Sequence, residues 1–113
     1  ASNLKLDNLY IIVDRNKQIV MNYTEDQMKL EPFKKKLENF DIIVNEVDGH
    51  SHIAMLKLFK KIKSLNKKQK PNLIIANTIK GKGVSFMEKN IKWHHSVPNE
   101  DEYNEALKEL SSK

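Results

Sequence analysis

Asn72-Leu73-Ile74-Ile75-Ala76-Asn77-Thr78-Ile79, followed at once by Lys80-Gly81-Lys82-Gly83, is the stretch that decides the fold. Its apolar, partly β-branched run is short and continuous, which suits a strand buried on both faces. The run then breaks into a glycine-punctuated basic turn, and Trp93-His94-His95 follows. Glycine lets backbone approach a ligand closely, and lysine or histidine supplies charge. A loop of this composition past the C-terminal end of a strand suits a bound anion, because ligands of open α/β sheets sit at that edge.

Upstream, the same pattern recurs. Asn8 to Val13 is another continuous apolar run and reads as a strand covered on both faces, ending where Asp14-Arg15-Asn16 leave the sheet. Ile42 to Val47 reads as a further strand. Between these lie helices. Thr24-Glu25-Asp26-Gln27 has the form of a capping box and predicts a short helical turn. Glu31-Pro32 opens a helix with proline near its first position, and Phe33, Leu37 and Phe40 form its apolar stripe. Asp41 breaks it. Asp48-Gly49-His50-Ser51 turns into a helix capped by Ser51, with Ile53, Met55, Leu56, Phe59, Ile62 and Leu65 at helical spacing. Asn66 to Lys70 is a basic loop. Asn99-Glu100-Asp101-Glu102 starts a last helix whose apolar face is Tyr103, Ala106, Leu107 and Leu110. Alternating strands and helices mean βαβ units: an α/β fold with a partial parallel sheet and flanking helices. A chain that opens on a buried strand reads as one that enters a fold partway, so residues 1–113 are expected to be a single partial domain.

The balance of charge is +5, carried by lysines with Arg15 as the sole arginine. Base readers favour bidentate arginine, and these lysines are interleaved with acids, so the charge reads chiefly as a solvated surface. A stand-alone basic module that binds an anionic partner such as nucleic acid is the alternative. With no cysteine there is no disulfide, thiol nucleophile or cysteine metal site, which fits a cytoplasmic protein. No apolar run approaches the roughly 18 residues of a membrane span.

Three constellations carry possible chemistry. Asn16 at a strand's C-terminal edge could offer its side-chain oxygen to a hard cation, although one Asn cannot hold Mg²⁺ and a polar turn is the plainer reading. His50 and His52 straddle a helix start and read as turn and cap. His94-His95 beside the basic loop could contact a phosphate or shuttle a proton. Lys80-Gly81-Lys82-Gly83 is not a phosphate-binding GxxxxGK[ST] loop.

A family resemblance runs the length of the chain. Leu6-Asp7-Asn8-Leu9, Ile12-Val13-Asp14-Arg15-Asn16, Leu30-Glu31-Pro32-Phe33, Val47-Asp48-Gly49-His50, Lys80-Gly81-Lys82-Gly83-Val84-Ser85-Phe86-Met87-Glu88, Trp93-His94, Pro98-Asn99 and Ala106-Leu107-Lys108-Glu109-Leu110 follow in order and spacing. Together they resemble the latter part of the N-terminal, thiamine-diphosphate-binding domain of transketolases. The resemblance implies transfer of a two-carbon ketol unit between sugar phosphates, with thiamine diphosphate and Mg²⁺ as cofactors. It implies that Asn16 ligates the metal through its side chain and Gln18 through its backbone carbonyl. Val20 would lie against the thiazolium, Lys80 in the diphosphate and substrate region, and His94 on the diphosphate and in proton transfer.

The pattern has departures. The Gly-Asp-Gly motif that supplies the metal's third protein ligand is not among these residues, nor is the glutamate that activates the aminopyrimidine. Lys17-Gln18-Ile19-Val20-Met21-Asn22 replaces a small, glycine-containing run, Asp41 stands where a glycine is expected after the helix, and His95 where one follows Trp-His. The chain alone is therefore expected to be inactive. Its implied partners are the remainder of the enzyme, with that motif and the pyrimidine-binding domain, in a homo- or hetero-oligomer.

Overall fold

The computed structural model describes residues 1–65 and 69–112, so most of the expected basic loop at Asn66–Lys70 lies outside the described residues. Three strands, β1 (Tyr10–Arg15), β2 (Ile43–Asp48) and β3 (Asn72–Asn77), form one parallel sheet in the order β1-β3-β2. The helices are α1 (Thr24–Gln27), α2 (Phe33–Glu38), α3 (His52–Leu65) and α4 (Glu100–Ser111), with a 3-10 turn at Ile91–His94. By contacts the chain divides into two compact units. The first, Ala1–Arg15 with Leu30–Thr78, holds the sheet, α2 and α3; the second, Asn16–Lys29 with Ile79–Lys113, holds α1, the 3-10 turn and α4.

In the first unit β3 is the central strand, hydrogen-bonded along both edges, and Ile74 and Ile75 are 0% and 2% exposed. The register pairs Val13 and Glu46 with Ile75, and Ile12 and Asn45 with Ile74. Because side chains alternate along a strand, Ile11, Val13, Leu73, Ile75 and Val44 share one face. Phe33 and Leu37 of α2 pack onto that cluster with Ile42. On the opposite face the Tyr10 ring meets Phe59 of α3, centroids 5.8 Å apart. Each fully buried Ile or Leu is worth about 1.5–3 kcal/mol of transfer free energy, so β3 is the principal stabilising element of this unit.

β1 departs from expectation in two ways. It is an edge strand, with Ile12 55% exposed, so the face it shares with Tyr10 is only partly covered. It also runs on through Asp14 and Arg15 instead of leaving the sheet. The Arg15 side chain is buried: its guanidinium pairs with Glu31 at 3.1 Å and lies over the Phe33 ring at 5.7 Å. The other Glu31 oxygen accepts from the Phe33 backbone N–H at 3.0 Å, so one carboxylate joins the sheet's carboxyl edge to the start of α2.

The helix boundaries follow their chemistry with some differences. Pro32 is the N-cap of α2 and not its first residue. Phe40 lies beyond the helix and is exposed, because the chain turns at Asp41 in the left-handed region, φ +60°. Lys70 pairs with the Asp41 carboxylate and holds its pKa below the usual range. Ser51 caps α3 as expected, accepting from the Ala54 N–H at 3.2 Å, but Ile53 and Leu56 on that helix are exposed. Thr24 makes no capping box; Tyr23 is the N-cap of α1 and caps through no side chain.

Gly49 turns the chain from β2 into α3 under the end of β3. A Cβ there would stand 2.5 Å from Thr78 Cγ2 and 3.1 Å from the Asn77 carbonyl oxygen. The Thr78 hydroxyl in turn donates to the Asp14 carboxylate. Gly49→Ala should therefore destabilise the protein by about 1–3 kcal/mol through overpacking. Thr78→Ser, which removes the clashing methyl and keeps the hydroxyl, should recover part of that loss. Urea unfolding of the two single variants and the double variant reads this, and a double variant no better than Gly49→Ala would contradict it.

In the second unit α4 carries a complete capping box. Asn99 accepts from the Glu102 N–H at 2.9 Å, and Glu102 accepts from the Asn99 N–H at 2.9 Å. That backbone bond, with Lys92 at 3.2 Å, holds the Glu102 pKa below the ordinary carboxylate value. A depressed carboxylate pKa adds stability above its unfolded value, and the gain fades as pH falls through the folded value. Glu102→Gln should accordingly narrow the stability difference between neutral and acid pH, measured by urea unfolding at each pH. An unchanged difference would show that the box does not titrate with this group. The apolar face of α4 is less covered than its spacing implies, since Tyr103 and Leu110 are each 53% exposed.

Candidate functional site

Immediately after β1 the chain forms an Asx turn: the Asn16 side-chain oxygen accepts from the Gln18 N–H at 2.9 Å. Lys17 at its centre has φ +63°, a conformation natural to glycine. A narrow hairpin follows, with Gln18 bridged to Tyr23. Its bonds run from the Ile19 N–H to the Asn22 carbonyl, 2.8 Å, and from the Thr24 N–H to the Lys17 carbonyl, 3.0 Å. These bonds flank Gln18 and leave its own carbonyl outside the pairing. Val20 is at the hairpin tip and is 46% exposed.

The glycine loop closes on itself. Gly81 has φ +77°, and a Cβ there would stand 2.4 Å from the Met87 carbonyl oxygen, so only glycine fits. Gly83 has φ +107° and donates its N–H to Glu88 at 3.2 Å. The same Glu88 oxygen pairs with Lys82 at 3.2 Å. Lys82 is thereby neutralised, whereas the half-buried Lys80 makes no ion pair among the described residues. Between the two lysines that flank Gly81, Lys80 is the better placed to meet an anion.

Lys89 joins the hairpin to this loop. Its N–H donates to the Lys80 carbonyl at 3.0 Å. Its carbonyl accepts from Gln18 Nε2 at 2.6 Å and from the Tyr23 hydroxyl at 3.3 Å. Asn16, Gln18 and Lys80 are thus linked by a continuous path of hydrogen bonds. Sequence reasoning missed Lys89 and Tyr23: a lysine at φ +58° has no sequence signature, and a tyrosine in a loop could point anywhere.

His94 ends the 3-10 turn, which sequence reading also missed although Asn90 caps it through the Lys92 N–H. Trp93 anchors the turn to the loop through Nε1 to the Phe86 carbonyl, 3.1 Å, and by ring contact with Phe86 at 5.3 Å. The exposed His94 ring meets His95 edge-on at 4.5 Å. No hydrogen bond joins His94 to Asn16, Gln18 or Lys80 among the described residues. His50 and His52 are exposed, the first with its backbone N–H on Asp48, and they form no metal cluster among the described residues.

The donor set suits a hard cation beside an anion. Asn16 Oδ1 and the Gln18 carbonyl are hard oxygen donors two residues apart, of a type that can join carboxylate, phosphate or water oxygens around Mg²⁺. No group of three His, Cys, Asp or Glu that could hold a metal exists among the described residues, so these oxygens would be part of a larger set. All five residues singled out from the sequence, Asn16, Gln18, Val20, Lys80 and His94, belong to the second unit.

Comparison with known proteins identifies the family. Residues 1–112 match the model of the transketolase thiamine diphosphate binding domain. The chain is 42% identical over its whole length to an apulose-4-phosphate transketolase subunit from Phocaeicola vulgatus, covering 40% of that protein. It is 33% identical, over the same share, to a 6-deoxy-6-sulfo-D-fructose transketolase subunit of a Clostridium species. The fold superposes on transketolase from Campylobacter jejuni with a TM-score of 0.82 at 28% identity, covering 98% of this chain and 17% of that one. The chain therefore spans about 40% of the length of the curated subunits it matches. Its three-stranded parallel sheet, its glycine loop and these relatives together make it a member of the transketolase thiamine-diphosphate-binding domain family.

Proposed function

We propose that residues 1–113 are the latter part of the diphosphate-binding domain of a transketolase-type transferase, one that moves a two-carbon ketol unit between sugar phosphates. The observation that carries this reading is the hydrogen-bonded path from the Asn16 turn to Lys80. It joins the backbone of Lys80 to the turn whose oxygens we assign to the metal, within one unit.

Bound thiamine diphosphate supplies the carbon nucleophile and the electron sink of the reaction. The chain's own residues hold and orient it. Asn16 Oδ1 and the Gln18 carbonyl are the metal ligands contributed by this chain. The Asx turn preorganises them, since its bond to the Gln18 N–H fixes the side-chain rotamer of Asn16. Lys80 offsets diphosphate charge. Val20, exposed at the hairpin tip, would lie against the thiazolium ring of the cofactor. His94 contacts the diphosphate and transfers a proton to or from sugar oxygen through its imidazole, the side chain suited to that task near neutral pH.

The remaining metal ligand and the activating glutamate come from elsewhere in the enzyme, in an oligomer whose pyrimidine-binding domain completes the site. Two of the relatives are described as subunits, which supports a partner chain. They are named for apulose-4-phosphate and 6-deoxy-6-sulfo-D-fructose, so substrates beyond the common sugar phosphates come within range. A cytoplasmic location belongs to the same proposal and is in keeping with a chain that carries no cysteine. No helix among the described residues is long and apolar enough to cross a membrane.

Calorimetric titration of thiamine diphosphate with Mg²⁺ tests the proposal, using the present chain beside the protein extended upstream through a Gly-Asp-Gly motif. Binding is expected in the longer form. There, Asn16→Ala should weaken it at least about tenfold, as loss of a metal-site partner commonly does. Absence of binding in the longer form would overturn the cofactor assignment.

A further inference from the structure

We infer that the Gln18 side chain is a positioning residue that couples the metal turn to the anion loop, acting through Lys89. The inference rests on the cofactor reading above and concerns a part of Gln18 that the reading leaves unused. There the backbone carbonyl is the ligand. The side-chain amide does something else: it donates Nε2 to the Lys89 carbonyl at 2.6 Å.

Three observations carry this. First, the orientation of the amide is determined by chemistry, because a backbone carbonyl accepts only and the opposite flip would set two oxygens together. Second, both polar groups of the Lys89 backbone are engaged on the two sides to be coupled. Its N–H holds the Lys80 carbonyl at 3.0 Å, and its C=O is held by Gln18 and by the Tyr23 hydroxyl at 3.3 Å. Third, Lys89 is in the left-handed region at φ +58°. A non-glycine residue keeps that conformation only where its surroundings over-determine it, and these hydrogen bonds do so. Among the described residues Gln18 Oε1 is meanwhile buried with no hydrogen-bond partner. The side chain thus accepts an unsatisfied oxygen in order to place its N–H on Lys89, a burden that an apolar residue would avoid.

The consequence is that displacement of the metal turn is transmitted to the backbone of Lys80, and ordering of the loop by an anion is transmitted back. Linked sites of this kind share a coupling that typically amounts to about 5- to 150-fold in affinity.

The test is a double-mutant cycle on the protein in its full natural length, titrated calorimetrically with thiamine diphosphate at saturating Mg²⁺. Gln18→Leu removes the latch and keeps the volume. Lys80→Ala removes the charge on the far side. Gln18→Leu should weaken binding at least about fivefold in the parent and by much less in the Lys80→Ala background. A merely structural role would lower affinity equally in both backgrounds, and that additive result would overturn the inference. So would unaltered affinity in Gln18→Leu. Tyr23→Phe removes the weaker donor to the same carbonyl without emptying the site and should show the same non-additivity at smaller size, so the test survives if Gln18→Leu fails to fold. Failure of the parent itself to bind would overturn the cofactor reading, a result distinct from binding that is insensitive to Gln18.

Discussion

Burial of β3 is the constraint on which the first unit depends. Its six residues are hydrogen-bonded on both edges, and Leu73 through Ala76 are each no more than 5% exposed. A strand in that position can carry polar groups only at its ends. Its C-terminal end is therefore where the chemistry starts, with Thr78 on the Asp14 carboxylate and Gly49 beneath the Asn77 carbonyl. The Arg15–Glu31–Phe33 cluster serves the same edge from β1. Arginine is suited to such a place because its planar, weakly hydrated head can pair with a carboxylate and lie on a ring at once.

The second unit depends less on apolar burial and more on backbone hydrogen bonds. Glu88 gathers Lys82 and the Gly83 N–H. Glu109 of α4 receives both the N–H and the hydroxyl of Ser85, at 2.6 and 2.5 Å. Lys89 joins the hairpin to the loop. Such arrangements hold geometry with little core, and they leave Lys80 without a carboxylate partner among the described residues. Ion pairing of Lys70, Lys82 and Lys92 also removes charge that a nucleic-acid surface would use.

The departures from the family's glycine pattern separate by backbone geometry. Asp41 and Lys17 both occupy the left-handed region, φ +60° and +63°, where glycine would sit without strain. Each costs on the order of 1 kcal/mol relative to a conformation natural to its side chain. Asp41 offsets this through Lys70 and Ser2, and Lys17 through the Asx turn around it. His95 is different: its φ is −125°, so nothing in the backbone calls for glycine there. The imidazole instead adds a ring against His94.

How far the sequence determined the protein follows from the range of the forces involved. Hydrophobic period and capping are local, so the three strands, the Ser51 cap of α3 and the Asn99 cap of α4 could be read directly. The family resemblance likewise rested on short motifs in order, and it named Asn16, Gln18, Val20, Lys80 and His94 before any geometry. Exposure and partner choice are not local. That β1 is an edge, that Phe40 leaves its stripe, and that the apolar face of α4 is only partly covered depend on what packs against each element. That Lys82 pairs with Glu88, and that a left-handed Lys89 receives Gln18 and Tyr23, depend on side chains up to 71 residues apart in the chain meeting in space. Only the tertiary structure could decide those, because hydrogen-bond geometry is set by position and leaves no periodic trace in sequence.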